Sequence, residues 1–268
     1  MFVVLCPFEV TKGRRFGRRR ALREKNEVKA HSLCGIMQFY TVSVPLKNGK
    51  ADWERLAAVA GGCKGRILAP TQLKVPEGYG FCEYYSADFA AQMIFKSALS
   101  LLKAAAVPPQ GLNISLVDPD ALLADRVCEL LEVAAKVKVV TKKPQDFLSA
   151  ARKAMREYGA TLIISEREEE NSHAVISYPL IKPPDGVYGI ISAKGVSIRG
   201  FGADNVQDFR GILPSGLDTV CFAAACARLC ADSEISGSRF DEFICNSNST
   251  DFSTAAKALA RALGKNIG

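Results

Sequence analysis

No stretch of this 268-residue chain comes near the roughly 20 consecutive apolar residues that span a bilayer. The apolar start, MFVVLC, is followed by basic residues rather than preceded by them, the reverse of a secretory signal, so the expected location is the cytoplasm. No C-x-x-C occurs among the nine cysteines, and their odd number and irregular spacing argue against both a disulfide framework and a zinc site. Cys226 and Cys230 stand four apart in an apolar stretch, but a metal there would need two further ligands, and the histidines are limited to His31 and His173. The two cysteines read as small buried hydrophobes, and no metal is expected. G-x-S-x-G, a Walker loop and H-E-x-x-H are all missing, which removes the usual signatures of α/β-hydrolases, P-loop NTPases and zinc proteases. The aromatic residues are scattered, without the basic and stacking side chains interleaved as single-stranded nucleic acid requires.

What is present suits a folded α/β protein. An apolar fraction of 48% with 24% charged residues is ordinary, and the length allows one large domain or two smaller ones. Charge is placed unevenly. Residues 11–30, TKGRRFGRRRALREKNEVKA, carry nine Lys or Arg against two Glu, a net +7 that equals the charge of the whole chain. Arg14, Arg15, Arg18, Arg19, Arg20 and Arg23 are its densest part, a candidate anion-binding cluster for a polyanion or an acidic protein surface. The same composition fits a solvated helix over about 17–27.

Residues 1–110 are expected to form a smaller α/β N-terminal region containing this basic segment. FVVLC and FYTVSVPL read as strands, and KNGK supplies an Asn-Gly turn. ADWERLAAVAGG reads as a helix with Trp53, Leu56, Ala57 and Ala60 on one face and a Gly pair at its end, and GRILAP as a short buried strand. SADFAAQMIFKSALSLLKAAAVPP is a helix apolar on nearly all sides, hence buried.

Residues 111–268 repeat a strand-helix unit. NISLVD, KVKVVT and TLIIS read as strands, with helices over ALLADRVCELLEVAA and PQDFLSAARKAMREYG between them. AVISYP and VYGIIS follow as strands, GVSIRGF as a hairpin return, and LDTVCFAAACARLC and STAAKALARAL as helices. This alternation predicts a mainly parallel sheet with helices on both faces.

Over about residues 111–195 the pattern resembles the Rossmann-like superfamily, in particular the dinucleotide-binding domains of shikimate-dehydrogenase-type enzymes. The resemblance implies an NAD(P)-dependent oxidoreductase, with ligand at the carboxyl ends of the strands. In that family the first turn is glycine-rich, so that backbone N–H groups can touch the pyrophosphate. Here it is DPDALLAD, with Asp118 and Asp120 where a negative ligand belongs. Lys142 and Lys143, after the second strand, stand where such enzymes often hold a 2′-phosphate, which keeps NADP as an alternative to no cofactor. The ligand crevice expected from the pattern comprises Asp118, Asp120, Thr141, Lys142, Lys143, Ser165 and Tyr178.

Asp-x-Asp after an apolar strand also resembles haloacid-dehalogenase-like phosphatases, in which the first Asp is the nucleophile, the second the acid/base, and Mg²⁺ holds the phosphate. Ser165 would match their second motif, and Asp204 and Asp208 their last acidic pair. Ala121-Leu122-Leu123 depart from the small residues that follow the second Asp in that family. The remaining reading is electrostatic: Asp118 or Asp120 accepts bonds from the first free N–H groups of the following segment and fills the anion site from within. His173, beside the charge run EREEENSH, is a candidate acid/base without an identified partner. Two classes follow, a non-catalytic ligand- or partner-binding protein and an enzyme. The missing phosphate turn favours the first.

Overall fold

The computed structural model describes residues 1–10, 26–33, 37–167, 172–209, 211–229 and 239–264. The six arginines of the basic cluster and the helix expected over about 17–27 lie outside these, apart from residues 26 and 27, which are not helical. The helices are α1 (Trp53–Ala60), α2 (Ala87–Ala105), α3 (Leu148–Lys153), α4 (Thr219–Leu229) and α5 (Phe252–Gly264). Two compact units form, one from residues 1–86 and 205–238 and the other from 87–204 and 239–268. A single boundary at 110 is thus replaced by three crossings. The reason lies in α2, whose almost wholly apolar surface packs on strands of the second unit.

In the first unit, β1 (Val3–Glu9), β2 (Val28–Leu33), β3 (Met37–Lys47), β4 (Lys50–Ala51) and β5 (Ile67–Leu68) form one sheet in the order β2-β3-β1-β5, with β4 folded back on β3. Asn48 and Gly49, at φ 53° and 73°, make the left-handed two-residue turn that an Asn-Gly pair favours. Asp52 caps α1 by accepting the Arg55 N–H at 3.1 Å, and Leu56, Ala57 and Ala60 face inward as their spacing requires. Leu56 packs with Val3, Leu5, Val42 and Val44 on one sheet face. On the other face Phe2 stacks on Phe39 at 5.4 Å, and Phe222 of α4 meets both rings edge-on.

The second unit carries β6 (Asn113–Val117), β7 (Lys136–Val140), β8 (Leu162–Ser165), β9 (Ala174–Ser177), β10 (Tyr188–Ala193), β11 (Val196–Phe201), β12 (Glu242–Cys245) and β13 (Asn248–Thr250). The sheet runs β13-β12-β11-β10-β9-β6-β7-β8. Strands β9, β6, β7 and β8 are parallel, and β10 to β13 continue as an antiparallel ribbon. The β12–β13 hairpin, absent from the sequence reading, turns at Asn246 and Ser247, both at positive φ.

Helices cover one face of this sheet, not two, among the described residues. Ile114, Leu116, Val137, Val139, Leu162, Ala174, Ile176, Ile191, Ile198 and Phe243 point to the covered side and are buried. On the opposite side Ser115 and Lys138 are buried at the middle of the sheet, whereas Ser177, Ser192, Ser197 and Arg199 are exposed and Ile163 is 46% exposed. The cause is the link from β8 to β9, residues 166–173, which is shorter than the dozen or so residues a helical crossover needs.

The first crossover also departs from expectation. In place of a helix over ALLADRVCELLEVAA, the chain makes turns from 119 to 126 and then a 3₁₀ helix, Val127–Glu132. Ala121 adopts the left-handed region at φ 58°, which breaks helical continuity. A 3₁₀ helix rises about 2.0 Å per residue against 1.5 Å, so the short segment still returns to the start of β7. Leu123, Val127 and Leu130 remain inward and fully buried. The second crossover keeps its expected signals: Pro144 opens a 3₁₀ turn, α3 follows, and a π turn (Ala154–Tyr158) ends at Gly159 in the left-handed conformation.

Candidate functional site

The carboxyl ends of the four parallel strands lie along one edge of the sheet. Asp118 follows β6, Thr141 follows β7, Ser165 closes β8 and Tyr178 follows β9. Strand order reverses between β6 and β9, which neighbour each other without being consecutive, and such a reversal opens the crevice in which α/β sheets bind ligands. Asp118 and Tyr178 flank this crevice.

Asp118 is completely buried and its carboxylate accepts three hydrogen bonds. Oδ1 accepts the Leu122 N–H at 2.9 Å and the Tyr178 hydroxyl at 2.5 Å, and Oδ2 accepts the Leu123 N–H at 2.8 Å. Two backbone N–H groups therefore converge on a carboxylate where a phosphate-binding turn would offer them to a ligand. Burial pushes the Tyr178 hydroxyl well above the ordinary tyrosine range, and the hydrogen bond to Asp118 and its charge push it further. Tyr178 thus stays protonated and keeps donating. The backbone is fastened by the same segment, since Asp118 N–H bonds Val140 O at 2.9 Å and extends the β6–β7 ladder.

The other crevice residues bind one another too. Lys143 Nζ lies 3.3 Å from the Asp120 carbonyl oxygen and 3.6 Å from its carboxylate. This surface contact contributes little energy. Lys142 is exposed, and its N–H reaches Pro119 O at 3.4 Å. Thr141 is buried; its Oγ1 accepts the Lys143 N–H at 3.1 Å, and its own N–H bonds Ser165 O at 2.9 Å. Ser165 Oγ turns back on Arg167, donating to its carbonyl at 3.0 Å.

The phosphatase constellation does not assemble. Asp204 follows β11, three strands from β6, so about 14 Å separates those strands at the usual spacing of roughly 4.8 Å. Its carboxylate accepts the Arg239 N–H at 3.0 Å. A Mg²⁺ ligand set needs these oxygens around one ion at about 2.1 Å. Among the described residues no group of three or more His, Cys, Asp or Glu could hold a metal. His173 is structural: its Nδ1 accepts the Asn113 N–H at 3.1 Å, and its own N–H bonds Asn113 O at 2.9 Å. Cys226 is buried, as read from the sequence, and Cys230 lies outside the described residues.

A feature the sequence reading missed is an open cavity of about 560 Å³ at the opposite, amino end of the parallel strands. Leu131, Ala134, Lys136, Tyr158, Thr161 and Ile163 line it. The sequence held no cue to it, because its walls come from three crossover ends.

No known protein family and no curated protein matches the chain. Among solved structures it is similar to L-tryptophan dehydrogenase from Nostoc punctiforme, at 12% identity and a TM-score of 0.25 over 67% of this chain. The match covers 57% of the dehydrogenase chain, and a likeness of that size carries no functional weight.

Proposed function

We propose that this chain is a non-catalytic, Rossmann-like binding protein in which the nucleotide turn has become a structural joint. The strand order β8-β7-β6 is that of one half of a dinucleotide-binding sheet, and β9 lies where the other half would begin. The observation that carries the reading is the buried, triply hydrogen-bonded Asp118 carboxylate: it accepts the N–H groups of Leu122 and Leu123, and the Tyr178 hydroxyl bonds it from the end of β9. A pyrophosphate arriving there would meet a buried anion, no long helix dipole and no glycine. The oxidoreductase and phosphatase readings each lack their defining geometry at this turn. On this proposal the chain works in the cytoplasm without NAD, NADP or FAD, and its ligand or partner is met elsewhere, the Arg14–Arg23 cluster being the strongest charge available for it.

The test is thermal unfolding with NAD, NADP and FAD, each at saturating concentration, because a ligand of the folded state raises Tm by mass action. No shift is expected. A rise of several degrees with any of the three would reject the proposal, as would Mg²⁺-dependent turnover of phosphomonoesters abolished by Asp118→Asn.

A further inference from the structure

The two outer strands of the second unit's sheet are unlike. β13 is three residues long and wholly polar, Asn-Ser-Thr, which suits an edge that must not pair. β8 is Leu-Ile-Ile-Ser, with neither charge nor proline, and among the described residues β7 is the one strand bonded to it. Apolar side chains surround this free edge. Ile163 is 46% exposed on β8, and Leu148 (50%), Met155 (61%) and Tyr158 (40%) are exposed along the helical segment that packs behind it. Ile163 lies on the sheet face away from the helices and the other three on the helical side, so exposed apolar side chains flank the edge on both faces of the sheet.

We propose that β8 pairs antiparallel with β8 of a second copy of this chain, about a two-fold axis at Ile163, joining two sheets into one. An edge strand seeks a partner strand, and this sequence complements itself under that rotation. Ile163 stands against Ile163, Leu162 against Ile164 and Thr161 against Ser165, so apolar meets apolar and hydroxyl meets hydroxyl. Glu166, directly after the strand, falls opposite Ala160 of the second copy, toward the helical end that carries Arg152, Lys153 and Arg156. The exposed helical flank extends the contact, since a stable pair buries about 800 Å² on each partner and a four-residue strand supplies only part of that. The cavity lined by Tyr158, Thr161 and Ile163 opens beside the same edge and is narrowed by the second copy.

The experiment is light scattering of the full chain across a concentration series, with far-UV circular dichroism on each variant. The parent chain is expected at twice its 28.9 kDa mass. Ile163→Lys and Met155→Lys are each expected to give the single-chain mass with unchanged dichroism. Val59→Lys, an exposed apolar position in the first unit, should leave the pair intact. If Ile163→Lys does not fold, Met155→Lys decides alone, because its side chain lies on the outer side of the helical segment. A parent chain that stays single throughout the series overturns the proposal. So does a pair that survives both lysines.

Discussion

Tyr178 donates its phenolic proton to Asp118 across a crevice between two strands that are neighbours in space and three apart in the chain order. The bond links the end of β6 to the end of β9, and the same carboxylate holds the first two free N–H groups of the next turn.

Removing either partner should therefore cost stability. Tyr178→Phe takes one donor from a buried carboxylate and is expected to destabilise by about 1.5–3 kcal/mol. Asp118→Ala leaves two N–H groups and a hydroxyl without an acceptor, and should cost about 3 kcal/mol or more. Urea unfolding of the two variants and the parent measures both. Parent-like midpoints would show that the crevice is held by packing alone.

The same pair gives the protein an alkaline limit. The folded-state pKa of Tyr178 is raised above the ordinary 10.0, so its contribution is fully present below pH 10. Above that, the unfolded chain releases the proton first and stability falls until the folded pKa is reached, at up to about 1.4 kcal/mol per pH unit for one proton. Tyr85, also raised by burial and by the neighbouring Cys221 and Asp218, adds to the slope. Urea midpoints from about pH 9 to about pH 11 should fall for the parent, and less steeply for Tyr178→Phe.

Most elements could be read directly, because their signals are local. Asn48-Gly49 made its turn, Leu56, Ala57 and Ala60 turned inward on their helix, and Pro144 and Gly159 bracketed the second crossover. The first crossover could not, since its apolar spacing suits either helix type and the decision rests on Ala121 entering the left-handed region. The internal anion site was half legible. Two carboxylates replacing glycines were visible in the sequence, but the choice of Asp118 over Asp120 depends on burial. Its bond to Tyr178 depends on strand order, a long-range property.

Gly200 offers a packing test away from the crevice. A Cβ there would stand 2.6 Å from Ile190 Cδ1 and closer still to the Phe240 ring. Gly200→Ala should destabilise by about 1–3 kcal/mol through overpacking, read as a lower urea midpoint. A neutral result would mean that Phe240 moves aside freely.

Polyanion binding, if the basic segment engages one, should map to its six arginines. A nonspecific DNA duplex and anionic vesicles are expected to bind at low salt and release steeply as salt rises. Replacing Arg14, Arg15, Arg18, Arg19, Arg20 and Arg23 by Gln should abolish that binding. Binding that survives the replacement places the contact elsewhere.

The first unit is written in two instalments. Its sheet is complete by Leu68, yet Phe222, which closes over Phe2 and Phe39, is encoded only after β11 of the second unit. During synthesis the aromatic pair must wait while more than half of the other unit is translated, and β12 joins β11 only after that excursion returns. No single cut in the gene can separate the two units. A fragment ending at residue 110 would carry Phe2 and Phe39 without the Phe222 that packs on them, and no circular permutation removes the interruption, because the four segments alternate around the closed chain as well.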